Sequence, residues 1–381
     1  MIVGLPLLDV LTVGQLRAVL AHEFGHYYGG DTRLGPWFFR TYDAIVRTVE
    51  NLESAESIWR KPFEWYGMFF LRRSASIKRQ QEFMADELAA KAAGKQAAIS
   101  CLHAVSAAGP AYEGYWSSEV APLLGAGTRA PLLAGFRSFQ SAESVRTAVA
   151  ESVRSELEEG ETDPYDTHPS LRERVEALER LPDDGRGESP GDERPAIELL
   201  RDPERAEHDL LAALLGEGAQ QLEPIRWDDV PERVIVPGWR EGMETYRASV
   251  AGVTAAGIAD VAAGGLERFG RDLPLPPGLP PEEGPFPAEL FEDVAASALD
   301  VGLGLALVDA GWTMTAPPGE PVMLRRDEQS IKPMGTAEAL ASGELSREEW
   351  LAICDAAGIG SLPLGGQAAA APAQEAEAAP A

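Results

Sequence analysis

The sequence predicts a mainly α-helical protein in two parts, and three observations predict it. Apolar residues recur at helical spacing through most of the chain, as in Leu16, Val19, Leu20, Phe24 and Tyr27. A run dense in proline, glycine and charge, Pro182 to Pro195, separates a first part from a second. Strand-type patterning is confined to a short apolar run at Ile2 to Leu8 and to Trp312 to Arg325, which alternates around Pro317-Pro318-Gly319-Glu320. The expected organisation is a first domain over 1–181, a linker over 182–195, an α-rich accessory domain with a β-hairpin over 196–364, and a disordered Ala/Pro/Glu tail over 365–381.

The elements follow in order. Ile2 to Leu8, punctuated by Gly4 and Pro6, is expected as the end of a strand entering a turn. Thr12 and Gln15 have capping-box spacing and open a helix that Gly29-Gly30 stops. Pro36 to Arg73 is rich in aromatics, Trp37, Phe38, Trp59 and Trp65 among them, which suits helix cores or else a surface that rests on a membrane or grips apolar substrate. The basic pairs Arg72-Arg73 and Lys78-Arg79 begin a helix that continues through Glu82, Phe83, Asp86 and Leu88 towards Gly94. Gln96 to Ala108, rich in small residues, reads as a closely packed helix, with a Gly/Pro-containing stretch after it to about Pro131. A helix near Ser144 to Glu159 and a turn-rich segment, Asp163 to Pro169, precede a charged helix from Ser170 to Leu181. Beyond the linker, Ile197 to Leu215, Trp239 to Phe269 and Ala288 to Asp309 read as helices, with a proline-rich connector at Leu273 to Pro287. Ser346 with Glu349 caps a last short helix after the hairpin.

The formal charge of −28 argues against non-specific binding to nucleic acid or to anionic membrane, both of which require a basic face. Cys101 and Cys354 lie far apart and form no CxxC, so neither a disulfide framework nor a zinc ribbon is expected. The most apolar stretches, Val250 to Leu266 and Ala295 to Trp312, are interrupted by Asp260 and by Asp300 and Asp309, and no membrane span is expected within the chain. The start lacks the features of a signal peptide. As written, the chain is expected to be soluble or cytoplasmic.

The chemistry concentrates in His22-Glu23-Phe24-Gly25-His26. Residues four apart share a helix face with Cβ atoms about 5–6 Å apart, so His22 and His26 can offer imidazoles to one metal ion. Glu23, beside that face, is placed to act as general base on a metal-activated water rather than as a ligand. A catalytic zinc needs a third protein ligand. In an HExxHxxGxxH pattern that position falls on Thr32, which is no zinc ligand, and Asp31 is one residue out of register. In the alternative, a Glu from a later helix completes the site. Gln81-Glu82-Phe83-Met84-Ala85-Asp86 fits, with Glu82 on the metal and Asp86, four residues on, accepting the second N–H of a ligating histidine.

Three blocks resemble the M48 family of zinc metallopeptidases: Leu11-Thr12 with Leu16 to Asp31, Glu82-Phe83-Met84-Ala85-Asp86, and Thr167-His168-Pro169 through Arg174-Val175. The resemblance covers roughly residues 1–181 and implies a zincin-like (gluzincin) peptidase fold that hydrolyses protein or peptide substrates. It implies one Zn²⁺ per chain on His22, His26 and Glu82, with Glu23 as catalytic base and acid. It also points to His168 and Arg174 near the cleft. His168 would donate to the oxyanion or else order its loop, and Arg174 would face the cleft or pair with an internal acid.

The chain departs from that family at the front. Zincins commonly present a strand edge to the substrate ahead of the HExxH helix, and only Ile2 to Leu8 stands there. A shortened gene or a natural soluble variant with a reduced cleft would each account for it. A segment upstream of Met1 would supply the missing strand and a membrane anchor. An inactive zinc-binding interaction or sensor module, or a site that binds no metal, is the competing functional expectation. The part beyond the linker resembles no family.

Overall fold

In the computed structural model, residues 3–28, 47, 60–160, 162–164, 166–182, 189–276 and 286–364 are described. The protein is mainly helical, and its contacts divide it into two units, Met1–Glu119 with Leu132–Gln221, and Val120–Pro131 with Leu222–Ala381. Gly29-Gly30, the aromatics between 36 and 59, most of the 273–287 connector and the 365–381 tail, all singled out in the sequence, lie outside the described residues.

The first unit begins with a departure from expectation. Where Ile2 to Leu8 reads as a strand, the backbone forms a helix, α1 (Leu5–Val10). Gly4 is extended and Pro6 sits in the first turn, where its missing N–H and fixed φ suit a helix start. Among the described residues, strand-type pairing in this region is limited to an isolated bridge between Thr12 and Pro195. α2 (Val13–Tyr28) then opens on the expected capping box, with Gln15 N–H donating to Thr12 Oγ1 at 3.2 Å and Thr12 N–H to Gln15 Oε1 at 2.9 Å.

α2 lies against α3 (Arg60–Ala93) and α4 (Lys95–Tyr115), both longer than expected. The sequence ends the last helix near Ala108 because Gly109 and Pro110 follow, yet α4 carries Pro110 inside it. An interior proline costs about 3 kcal/mol. Continuing the helix buries Tyr115 completely, with its hydroxyl on Leu132 O at 2.9 Å and its ring centroid 5.4 and 5.6 Å from those of Phe136 and Phe139. That aromatic burial offsets the local cost. α5 (Leu132–Ser141) and α6 (Glu143–Glu159) follow, then α7 (Leu171–Glu179), which Ser170 caps by accepting from Glu173 N–H.

Part of the segment expected as a linker is packed instead. Val13 N–H donates to Arg194 O at 2.8 Å, Gly14 N–H to Asp192 O at 3.0 Å, and Ala196 N–H to Leu11 O at 2.8 Å. Asp192, 5% exposed, takes Arg17 in a two-pronged ion pair. Backbone pairing and this carboxylate outweigh a composition that lacks apolar residues. Ile197 to Leu215, read as one helix, is a 3₁₀ turn at Ala196–Leu199 followed by α8 (Pro203–Leu215), which restarts because Asp202 caps it and Pro203 favours its first position.

In the second unit, Trp239 to Phe269 is not one helix but a series: α9 (Val236–Met243), α10 (Arg247–Val250), α11 (Ile258–Gly264) and α12 (Leu266–Arg271). The break between α10 and α11 arises because the backbone of Val253–Ala256 bonds to the segment at Gly360–Leu364, with Thr254 bridged to Pro363 and a turn at Ala255–Gly257. Gly265, at φ 94°, makes the next break. α13 (Ala288–Asp309) runs through the core of this unit over the range its periodicity predicts. The hairpin appears as β3 (Thr313–Thr315) against β4 (Met323–Arg326), with Met314 opposite Leu324, and β5 (Gln329–Ile331) adds a third antiparallel strand. α14 (Thr336–Ser342) and α15 (Arg347–Ala357), which carries the Ser346/Glu349 capping box, complete it. A short parallel pair joins β1 (Thr128–Arg129) to β2 (Glu223–Pro224).

Asp300 of α13, 3% exposed, accepts from Gly335 N–H at 2.6 Å and Ala337 N–H at 3.0 Å. Burial raises its pKa to about 6 and outweighs those two bonds. A folded value above the unfolded one near 4 means that its contribution is full below about pH 4 and is lost as pH rises through 6, a difference of about 3 kcal/mol. Asp300→Asn should therefore flatten the fall in stability between pH 4 and 7, read as the pH dependence of the denaturant midpoint relative to the unsubstituted chain.

No helix among the described residues is long and apolar enough to cross a membrane.

Candidate metal centre

Helical spacing puts His22 and His26 one turn apart on α2, with their ring centroids 4.9 Å apart and edge to face. Their Nε2 atoms are 3.2 Å from each other. Glu82, on α3, places Oε2 3.4 Å from His22 Nε2 and Oε1 3.6 Å from His26 Nε2. The three residues offer ligand atoms that all lie within 4.8 Å of one another. Two imidazole nitrogens and one carboxylate converging on a point are the donor set of a catalytic zinc, so the residues present fit that ion.

Close approach of α2 and α3 makes the convergence possible. A Cβ built on Gly25 would stand 2.9 Å from Ala85 Cα and 3.1 Å from Ala85 Cβ, so the glycine inside the His22–His26 motif is the contact point of the two helices. Gly25→Ala should strain this packing by about 1–3 kcal/mol, against a gain of about 1 kcal/mol in helix propensity. A lowered unfolding midpoint together with weakened zinc binding is the expected reading; a raised midpoint would mean that the helices part freely.

The remaining predicted residues surround this point. Asp86, one turn after Glu82, lies with Oδ1 3.0 Å from His22 Nδ1, which leaves Nε2 of that ring to face Glu82. Arg174 on α7 donates to both Asp86 oxygens, at 2.8 and 2.6 Å, and reaches within 3.9 Å of Glu82. Arg174 thus pairs with an internal acid and also lines the cavity, so the geometry is compatible with both expectations for it. His168, in the loop before α7, brings Nδ1 to 3.4 Å from Glu82 Oε1 while two thirds of its side chain stays exposed. All of these residues and Glu23 line one cavity of about 250 Å³. Its other wall is apolar, formed by Val19, Ala89, Ala98, Leu102 and Val105.

The charges are arranged for a cation. Burial lowers the affinity of His22 for a proton, but Asp86 and Glu82 outweigh it and hold the imidazole up at about 9. The negative potential responsible is the one a divalent ion would experience. Burial also raises Glu82 and Asp86, yet His22 and Arg174 bring both below the usual carboxylate range. Cys101 lines the same cavity, but burial pushes its thiol up to about 12, and the thiolate is the metal-binding form.

Two contributors are not legible in the sequence. Arg79, a basic neighbour of the acids on paper, donates instead to Asp166 O at 2.6 Å and Pro164 O at 3.3 Å and so ties down the His168 loop. Thr162 accepts from Ser170 N–H at 2.7 Å and links that loop to α7. Both act on backbone groups, which composition and spacing do not reveal.

Residues 1–181 match a family model described as Peptidase family M48. No curated protein and no solved structure matches the chain.

Proposed function

We propose, from the match of residues 1–181 to the model of Peptidase family M48, that the protein is a zinc-dependent metalloendopeptidase. The observation that carries the reading is the convergence of His22, His26 and Glu82 in a cavity that Glu23 also lines. His22, His26 and Glu82 would hold one Zn²⁺ per chain there, and it would supply Lewis acidity toward the scissile carbonyl and a water. Glu23 takes the proton of the attacking water and returns it to the leaving amine. Asp86 holds the His22 ring in the orientation that turns Nε2 into the cavity, and Arg174 keeps Asp86 ionised and in place. His168, at the cavity mouth, donates its ring N–H to the carbonyl oxygen as negative charge develops, a contribution of about 10²–10³ in rate for donors of this type. The apolar wall opposite limits water in the site. Substrates are proteins or peptides.

The test combines turnover with metal content. Hydrolysis of an unfolded protein should be lost on chelation and restored by zinc. Glu23→Gln should lower it by about 10²–10⁴-fold while zinc remains near one per chain. Zinc retained by the unsubstituted chain with no turnover would instead make this an inactive zinc-binding interaction or sensor module, and absence of zinc from protein made in zinc-supplemented medium would sink both.

A further inference from the structure

The apolar wall of the metal cavity continues away from the metal. Val105, 41% exposed on α4, lines that cavity and also lines a larger one of about 580 Å³ in the same unit. Ala108, Gly109 and Tyr112 of α4 form the floor of this second groove, with Leu5 of α1, Phe136 and Leu210 among its walls. No charged side chain lines it among the described residues, in a chain of which a quarter of the residues are charged.

A single helix face joins the two. Leu102, Val105, Gly109 and Tyr112 follow one another at spacings of three, four and three, so they form one stripe along α4. At about 1.5 Å rise per residue, Val105 and Tyr112 stand about 10 Å apart along the axis. An extended peptide advances about 3.3 Å per residue, so the same distance spans about three residues. Tracing the groove shows what replaces the expected strand at Ile2 to Leu8: α1 turns apolar side chains into the groove where a backbone edge was expected.

We infer that this groove is an extension of the substrate site that takes an apolar side chain of an extended peptide, about three residues from the one seated against Leu102 and Val105. The peptide nature of the ligand rests on the peptidase reading. Continuity through Val105 favours this occupant over one unrelated to the metal site, and Gly109 marks where it fits. A Cβ built there meets no atom within 4 Å, so the floor is open at mid-groove.

The same openness supplies the test, because a Cβ at Gly109, on the groove lining, meets no atom within 4 Å, and circular dichroism checks that the helix is kept in each variant. Binding is measured by fluorescence anisotropy on the zinc-loaded Glu23→Gln chain, with labelled peptides in which Leu, Asn or Lys is scanned through each position. At one position, about three residues from a second apolar preference, Leu should bind at least about tenfold more tightly than Asn. Gly109→Phe should erase that preference, and Gly109→Glu should transfer it to Lys at the same position. Absence of any positional preference, or a preference that both substitutions leave unchanged, overturns the inference. So does a concentration-dependent dimer that Gly109→Glu dissolves, since the groove would then belong to a second copy. Peptides that bind in the expected pattern but are never cut by the unsubstituted chain would sink the peptidase reading and leave the groove; cleavage with no apolar pattern would do the reverse.

Discussion

Glu82→Ala should cost the centre its metal, with zinc affinity falling by more than the ~10–100-fold that loss of an outer partner such as Asp86 brings, and peptide hydrolysis falling with it. A catalytic zinc is held by three protein ligands, and the substitution leaves two, both on α2. Loss of this carboxylate, 9% exposed, also leaves the Arg174 guanidinium facing the site with one anion fewer beside it, which repels a cation further. A competition titration against a chromophoric chelator at fixed pH measures the affinity, and circular dichroism shows whether the helices are kept. Unsubstituted affinity in this variant would remove Glu82 from the ligand set.

Arg174→Met should destabilise the zinc-free protein by about 1–3 kcal/mol, because it removes one of the two cations that compensate the buried Asp86 and leaves only the His22 imidazolium. The Asp86 side chain is 4% exposed and that of Arg174 19%, so water cannot replace the lost bonds. The sign of the pH dependence follows from Asp86 being held below the usual carboxylate range. Its stabilisation is present above the unfolded value near 4 and is lost as pH falls through the lowered folded value. Protonation silences the under-compensated carboxylate in the variant, so the gap between variant and unsubstituted chain should narrow below about pH 4. Denaturant unfolding at several pH values reads both effects, and Asp86→Leu combined with Arg174→Met should recover part of the loss. A gap under about 1 kcal/mol would mean that the pair is solvated.

The elements read correctly from the sequence are those whose cause is local. The Thr12/Gln15 and Ser346/Glu349 capping boxes close over three residues, and the helical period of α13 runs over its whole length with Asp300 as its buried acid. The elements read wrongly are those where a distant partner decides. Ile2 to Leu8 is apolar enough for a strand, but among the described residues it meets no strand to pair with, and Pro6 can start a helix. Pro110 stays inside α4 because Tyr115 has a pocket to fill, and Val253–Ala256 leaves its helix because the segment at Gly360–Leu364 offers backbone partners. Composition made a linker of 182–195, whereas Asp192 and the neighbouring carbonyls fasten its second half to α2.

The same division runs through the metal centre. Sequence alone determined that His22 and His26 share a helix face with Glu23 beside it, and that Glu82 and Asp86 share another, because a helix repeats every 3.6 residues whatever surrounds it. It also carried the motifs by which residues 1–181 match the model of Peptidase family M48. Only the tertiary structure decided that the two faces meet, through the close approach of Gly25 to Ala85, and that Arg174 clamps Asp86 instead of standing free. It alone decided that Arg79 holds the His168 loop and that Val105 borders both the metal cavity and an apolar groove. Those contacts join residues far apart in the chain, and they depend on distances of a few tenths of an ångström that no spacing along one helix can encode.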